Sequence, residues 1–240
     1  ERSAAWSTRK DAVEARQRER LGALMLSDRP WPDAPPEALA AALTQGIRAK
    51  GIAALPWPKP ARLFQARICW LAHQAPGLGL PDCSDAALSR DLEEWLTPHL
   101  AGMSRIGEIA RLDLTALLGA RLDWSARQAL DQAAPAAFTT PLGRRIAIDY
   151  GRAQPAISLK VQEMFGQTAQ PTVGAPPVPL MIELLSPAGR PVQTTSDLPG
   201  FWASSYRDVA KEMRARYPKH PWPDNPGVAA PTDRARRRSR

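Results

Sequence analysis

The hydropathy period of this chain changes near Phe138, and that change limits the folds open to it. From about residue 36 to 133, apolar residues recur at three- and four-residue spacing. Leu39, Leu43 and Ile47 form one such row, and Leu88, Leu92, Trp95 and Leu96 another. From Phe138 onward the pattern alternates: Ile146, Ile148 and Tyr150 fall against Arg145, Ala147 and Asp149. Helix period followed by strand period predicts an α+β chain: a helical middle segment, then a small, mainly antiparallel sheet with a packed helix.

The C-terminal half is the more sharply punctuated. Phe138–Thr140 is predicted to pair with Arg145–Tyr150 across the turn Pro141-Leu142-Gly143, and Pro155–Val161 reads as a further strand. Gln162–Phe165 reads as a helical turn stopped by Gly166, with a loop over 169–179. Val178–Leu185 and Val192–Thr195 flank Ser186-Pro187-Ala188-Gly189, where Pro presets φ and Gly accepts φ > 0, so the two runs predict a hairpin. Asp197 is placed to cap the following helix. Trp202, Tyr206, Val209 and Met213 recur on one stripe of that helix, which leaves Arg207, Lys211, Arg214 and Arg216 mostly on the wet side. Tyr217-Pro218 ends it, because a residue before Pro avoids the α region.

In the middle segment, Gly51 is expected to stop a helix starting near Pro36, and a well-buried helix spans about 61–73. Ser84 or Asp85 caps a helix to Thr97. A break near Asp113 divides Ser104–Leu118, since Ile109, Leu112 and Leu117 cannot share one narrow stripe. A short helix covers 123–133. Residues 8–28 are ambiguous. Val13, Ala15 and Gln17 alternate with charged neighbours, and Leu21–Leu26 suits a buried strand bent at Gly22, but Glu, Arg and Ala also favour helix.

The net charge of +8 lies at the chain ends. Residues 201–240 carry 10 basic and 4 acidic side chains, residues 1–20 carry 6 and 4, and residues 21–200 carry 16 of each. The last seven residues hold five arginines, a composition expected to be disordered alone and able to engage phosphates. Such asymmetry points to polyanion contact, against the plainer reading of a solubilising tail. There is no apolar run of about 18 residues, so no membrane span is expected. ERSAAWSTRK has neither an initiator Met nor a signal-peptide apolar core, which suits an excised or processed chain. Two cysteines, Cys69 and Cys83, make no disulfide framework and suit a reducing cytoplasm.

Motifs for catalysis are missing. The sequence has no G-x-x-x-x-G-K-[ST] loop to cradle phosphates, no Asp-Glu-x-His run for magnesium and water, and no G-x-S-x-G nucleophile elbow. Cys69, His73, Cys83 and His99 lack a close C-x-x-C knuckle and read as buried thiols and surface imidazoles rather than metal ligands. Asp149 and Glu163 read as solvated or salt-bridged acids, Glu163 within its own turn. Trp202 reads as core by its stripe, with base stacking the rival role. Trp222, between Pro221 and Pro223, reads as a staple that holds the tail to the fold.

The strings LLSPAGRPVQ, DLPGFW and YRDVAKEMRARYPKHPWPDNP, with QEMFG at 162–166 and RLGALMLS near the start, resemble the C-terminal region of the bacterial HrpB family of DExH-type RNA-helicase-like proteins. The resemblance implies a region that lies beside, and lacks, an ATP- and magnesium-dependent motor. It also implies that residues 1–28 are a strand pair closing an OB-like domain. Four segments are then expected: those strands, a helical segment over 29–135, an α+β module over 136–223, and a basic disordered tail over 224–240. The expected role is non-catalytic: to brace the motor and offer a basic surface to RNA. The rival is a protein-interaction module without a nucleic-acid role. No cofactor or metal is expected on this chain. Candidate contacts for nucleic acid are Arg207, Lys211, Arg214, Arg216, Lys219, Arg234, Arg236, Arg237, Arg238 and Arg240.

Overall fold

The computed structural model describes residues 1–235. The chain divides into two compact units, Glu1–Cys69 with Leu80–Arg127, and Trp70–Gly79 with Gln128–Arg240.

The first unit opens with an antiparallel sheet of β1 (Arg2–Ser7), β2 (Ala12–Leu21) and β3 (Leu24–Pro30), in that order. Of residues 8–28, 12–21 and 24–28 are therefore strand, joined by turns, and Arg2–Ser7 adds an edge that the sequence reading left out. The sheet packs directly on the helices that follow it, within the same compact unit. Val13 N–H donates to the Ser104 carbonyl at 2.8 Å, and Trp6 packs on α1 (Pro36–Lys50) at Gly46, where a Cβ would overlap the indole. Leu21–Leu26 is not a buried bent strand. Gly22, at φ +60°, reverses the chain, and Leu21, Leu24 and Leu26 at the hairpin tip are 71%, 63% and 59% exposed.

Gly51 closes α1 as expected, and α2 (Lys59–Gln74) follows. The helix expected over 85–97 is two pieces, α3 (Asp85–Arg90) and α4 (Leu92–Trp95). Its break falls at Asp91, whose carboxylate accepts from Arg90 and Arg121. A short helical turn over Ile106–Arg111 precedes α5 (Leu114–Ala120), and Asp113 caps α5 by accepting from the Thr115 and Ala116 amides at 3.0 Å. Leu43, Ile47, Leu88, Leu92, Leu96, Ile109, Leu114 and Leu118 fill the core without solvent exposure.

Helix α6 (Trp124–Ala133) ends in the second unit. There β4 (Ala137–Thr139) and β5 (Arg145–Ala147) form the expected hairpin. The second sheet differs from a plain antiparallel meander. Its order is β10 (Pro191–Thr195), β9 (Met181–Leu185), β6 (Ala156–Lys160), with β9–β10 antiparallel and β6–β9 parallel. The register pairs Ile157 with Ile182 and Leu159 with Leu184, which places four buried apolar side chains on one face. The crossover is not all loop. It holds the helical turn Val161–Met164 and a short pair, β7 (Thr172–Val173) with β8 (Val178–Pro179), so the expected strand Val178–Leu185 is interrupted at Leu180.

Glu163 is buried at 2% exposure, and it pairs with Arg144 at 2.8 Å rather than within its own turn. Residues 224–232 are not a loose tail. Gly166 N–H donates to the Pro226 carbonyl and Thr232 N–H to the Gln162 carbonyl, each at 3.0 Å, so the chain is laid along the QEMFG turn.

Candidate nucleic-acid interface

Four of the candidate cations, Arg207, Lys211, Arg214 and Arg216, sit on the last helical element of the second unit. Asp197 begins it by accepting from the Gly200 amide at 3.0 Å. The expected single helix is α7 (Leu198–Ala203) and α8 (Tyr206–Arg216), parted at Ser204, where φ −116° and ψ −93° leave the helical region. The break changes which side chains are covered. Phe201, Tyr206, Ala210 and Met213 are buried, while Trp202 and Val209 are half-buried.

Trp202 is held firmly all the same. Its indole N–H donates to the Gln167 carbonyl at 2.8 Å, and its ring lies 5.0 Å from Phe201, 5.3 Å from Tyr206 and 6.2 Å from Phe165, centroid to centroid. Trp222 is 4% exposed and turns the chain back beside α8. Tyr206 Oη donates to the Pro223 carbonyl at 2.9 Å, and burial pushes its phenol well above the ordinary value.

The returning segment 223–227 makes the second wall of a groove that the sequence reading missed. One hollow of about 410 Å³ is lined by Tyr206, Arg207, Ala210, Lys211, Arg214 and Asp224, with Pro223. A second, of about 330 Å³, shares Arg207 and Asp224 with the first and extends to Trp202 and Pro226. The signal in the sequence was the run Pro221, Pro223 and Pro226 around Trp222, which turns the chain without extending the helix.

Arg207, Lys211 and Arg214, at spacings of four and three, come together on this groove. All three are exposed, but they are not equivalent. Arg214 donates to the Trp222 carbonyl at 2.6 Å and to Asp224 at 3.4 Å, so it braces the wall. The side chains of Arg207 and Lys211 have no hydrogen bond or ion pair among the described residues. Arg216 pairs with Glu212 at 3.5 Å, away from the groove lining. Lys219 is exposed beyond the helix, beside His220, whose imidazole is held below its ordinary value by burial and by the Lys160 charge. Arg234 pairs with Asp233 at 3.7 Å. Arg236, Arg237, Arg238 and Arg240 lie outside the described residues.

Elsewhere, desolvation raises the thiols of half-buried Cys69, to about 11, and of buried Cys83. Among the described residues no group of three or more His, Cys, Asp or Glu could hold a metal ion, and no helix is long and apolar enough to cross a membrane.

The family described as ATP-dependent helicase C-terminal, HrpB_C, matches residues 95–226, a span from α4 through the groove. The chain belongs to the HrpB family. The HrpB relative described as ATP-dependent RNA helicase HrpB, from Escherichia coli strain K12, is 40% identical over 235 residues, which is 98% of this chain and 29% of the relative. Two solved HrpB structures share the fold. The E. coli DExH-box NTPase HrpB superposes with a TM-score of 0.81 at 39% identity, over 99% of this chain and 29% of that one. The E. coli DEAH/RHA helicase HrpB superposes at 0.70 with 37% identity, over 92% and 28%. The chain thus spans under a third of the HrpB proteins that it matches.

Proposed function

We propose that this chain is the non-catalytic C-terminal accessory region of an HrpB-type, ATP-dependent RNA helicase, and that the α8 groove contacts the RNA phosphate backbone. Its parent would carry the ATP- and magnesium-dependent motor, which this chain braces, and would work in the cytoplasm. The sheet β1–β3 would close an OB-like domain. The observation that carries the RNA reading is the pair of unneutralised cations, Arg207 and Lys211, on a groove whose two walls Arg214 ties together. Cations without internal partners are available to phosphate, and phosphate contact gives affinity without sequence preference. The terminal arginines would add to it.

The test is RNA binding at two salt concentrations by the chain, by a version ending at Pro231, and by Arg207→Glu/Lys211→Glu/Arg214→Glu. The triple variant should bind unrelated RNA sequences less tightly by a similar factor and show a flatter salt dependence. Unchanged affinity and slope would make the helix purely structural. The rival protein-interaction reading is favoured by the exposed apolar hairpin tip at Leu21, Leu24 and Leu26; binding insensitive to salt would support it.

A further inference from the structure

We infer that the hollow beside Trp202 is a slot for an unstacked nucleobase, so that this chain takes single-stranded rather than duplex RNA. The inference rests on the phosphate contact proposed above and adds a base site to it. The slot is an open surface hollow lined by the apolar Trp202, Pro199 and Pro226, by the polar Thr168 and Asn225, and by the charged Arg207 and Asp224. Its volume of about 330 Å³ falls within the range of small-ligand sites, roughly 300–1,000 Å³.

Three properties fit a base. Trp202 is half-buried yet lines the hollow, and three aromatic neighbours and the bond to the Gln167 carbonyl fix its ring, so little side-chain freedom is lost when a base stacks on it. Arg207 lines both hollows, so a nucleotide with its base against Trp202 has its phosphate beside a guanidinium without a partner among the described residues. Lys211 lies one helical turn further, about 6 Å along the axis, a stride suited to the next phosphate. Asp224 opposes this charge, but Arg214 neutralises it in part at 3.4 Å. A base in a paired duplex is stacked on its neighbours and does not enter such a slot, whereas a single strand offers its π-face freely.

The experiment measures binding of the chain to a fluorescent RNA strand of about ten nucleotides, to an abasic strand of the same length and charge, and to the corresponding duplex, a length set by the usual site size of single-strand binders. RNA single strand should bind about tenfold more tightly than the other two, the scale of one base stacked on an aromatic ring. In Trp202→Leu that gap should close while the abasic affinity and its salt dependence stay. Ala203→Leu, which narrows the slot from an exposed position, should narrow the gap as well, and it decides the matter if Trp202→Leu does not fold.

Equal binding of RNA and abasic strands, with Arg207→Glu still weakening both, overturns the slot and leaves the phosphate contact standing. A gap that survives both slot variants places the base elsewhere and overturns the slot. No binding of any strand overturns the phosphate contact and the slot together.

Discussion

The Tyr206 hydroxyl and the Pro223 carbonyl are 2.9 Å apart, and their bond ties the first turn of α8 to the chain that returns past it. One wall of the groove is helix and the other is irregular chain. A wall without its own hydrogen-bond ladder keeps its place only through such cross-links. Arg214 to the Trp222 carbonyl, at 2.6 Å, is another.

Tyr206→Phe should lower the stability of the second unit by about 1 kcal/mol, the usual net worth of one hydrogen bond, because the ring still fills its site among Phe165, Phe201 and Trp202. A denaturant midpoint compared with the parent measures it. No change would mean that water serves the carbonyl equally well.

Arg214 should separate from its two neighbours. Arg214→Ala should lower the melting midpoint and the RNA affinity together, since it both frees the Trp222 carbonyl and removes a cation. Arg207→Ala and Lys211→Ala should lower affinity with stability within about 0.5 kcal/mol of the parent, as surface changes do. A loss of stability equal to that of Arg214→Ala would assign them to the fold.

Gly46→Ala should destabilise the first unit by about 1–3 kcal/mol despite the better helix propensity of Ala, because the new methyl overlaps the Trp6 indole. In a Trp6→Leu background the same change should cost much less. Equal penalties in both backgrounds would disconnect the two residues.

Glu108 accepts from the amides of Ser104 and Arg105, at 2.7 and 3.0 Å. These bonds, the Ser104 amide first, hold its carboxyl below the ordinary range against a smaller opposing effect of burial. A lowered folded value means that the charged form is favoured by folding. Its contribution is fully present above the ordinary glutamate value of about 4.3 and is lost as pH falls through the lowered folded value. Glu108→Gln should therefore flatten the stability profile in that acid window, and an unchanged profile would place the titrating group elsewhere.

With ATP, magnesium and RNA, the chain alone should release no phosphate above a buffer blank, since its sequence lacks a phosphate loop and the acids that hold magnesium. Turnover abolished by a substitution in this chain would overturn that expectation.

Local signals were the legible ones. Asp113 and Asp197 could be read as caps because a carboxylate finds its amide partners within three residues. Gly51 and the turn at Ser186–Gly189 were legible for the same reason. Pairing across distance was not. Alternation in Ala156–Lys160 told of a strand, but its neighbour and direction depend on a crossover that period cannot reveal. Apolarity at Leu24 and Leu26 argued for burial, yet hydropathy names a preference and not a position, and a hairpin tip leaves both in solvent. At the groove the cations were visible in the helix spacing. The opposite wall was not, because Asp224–Gly227 acquires its place from hydrogen bonds to Gly166 and to the α8 side chains rather than from a pattern of its own.

The mixed pairing of β9 carries a consequence for the order of assembly. Its bonds to β10 close across a turn of five residues, while those to β6 wait for the whole crossover from Val161 to Leu180. Closing the longer loop costs more chain entropy, so the hairpin should form early and the parallel seam late. Truncating Ile157 should then mainly quicken unfolding, whereas truncating Ile182, which serves both seams, should slow refolding as well. The strand at the middle of this sheet is thereby the point at which a local nucleus is converted into a finished unit.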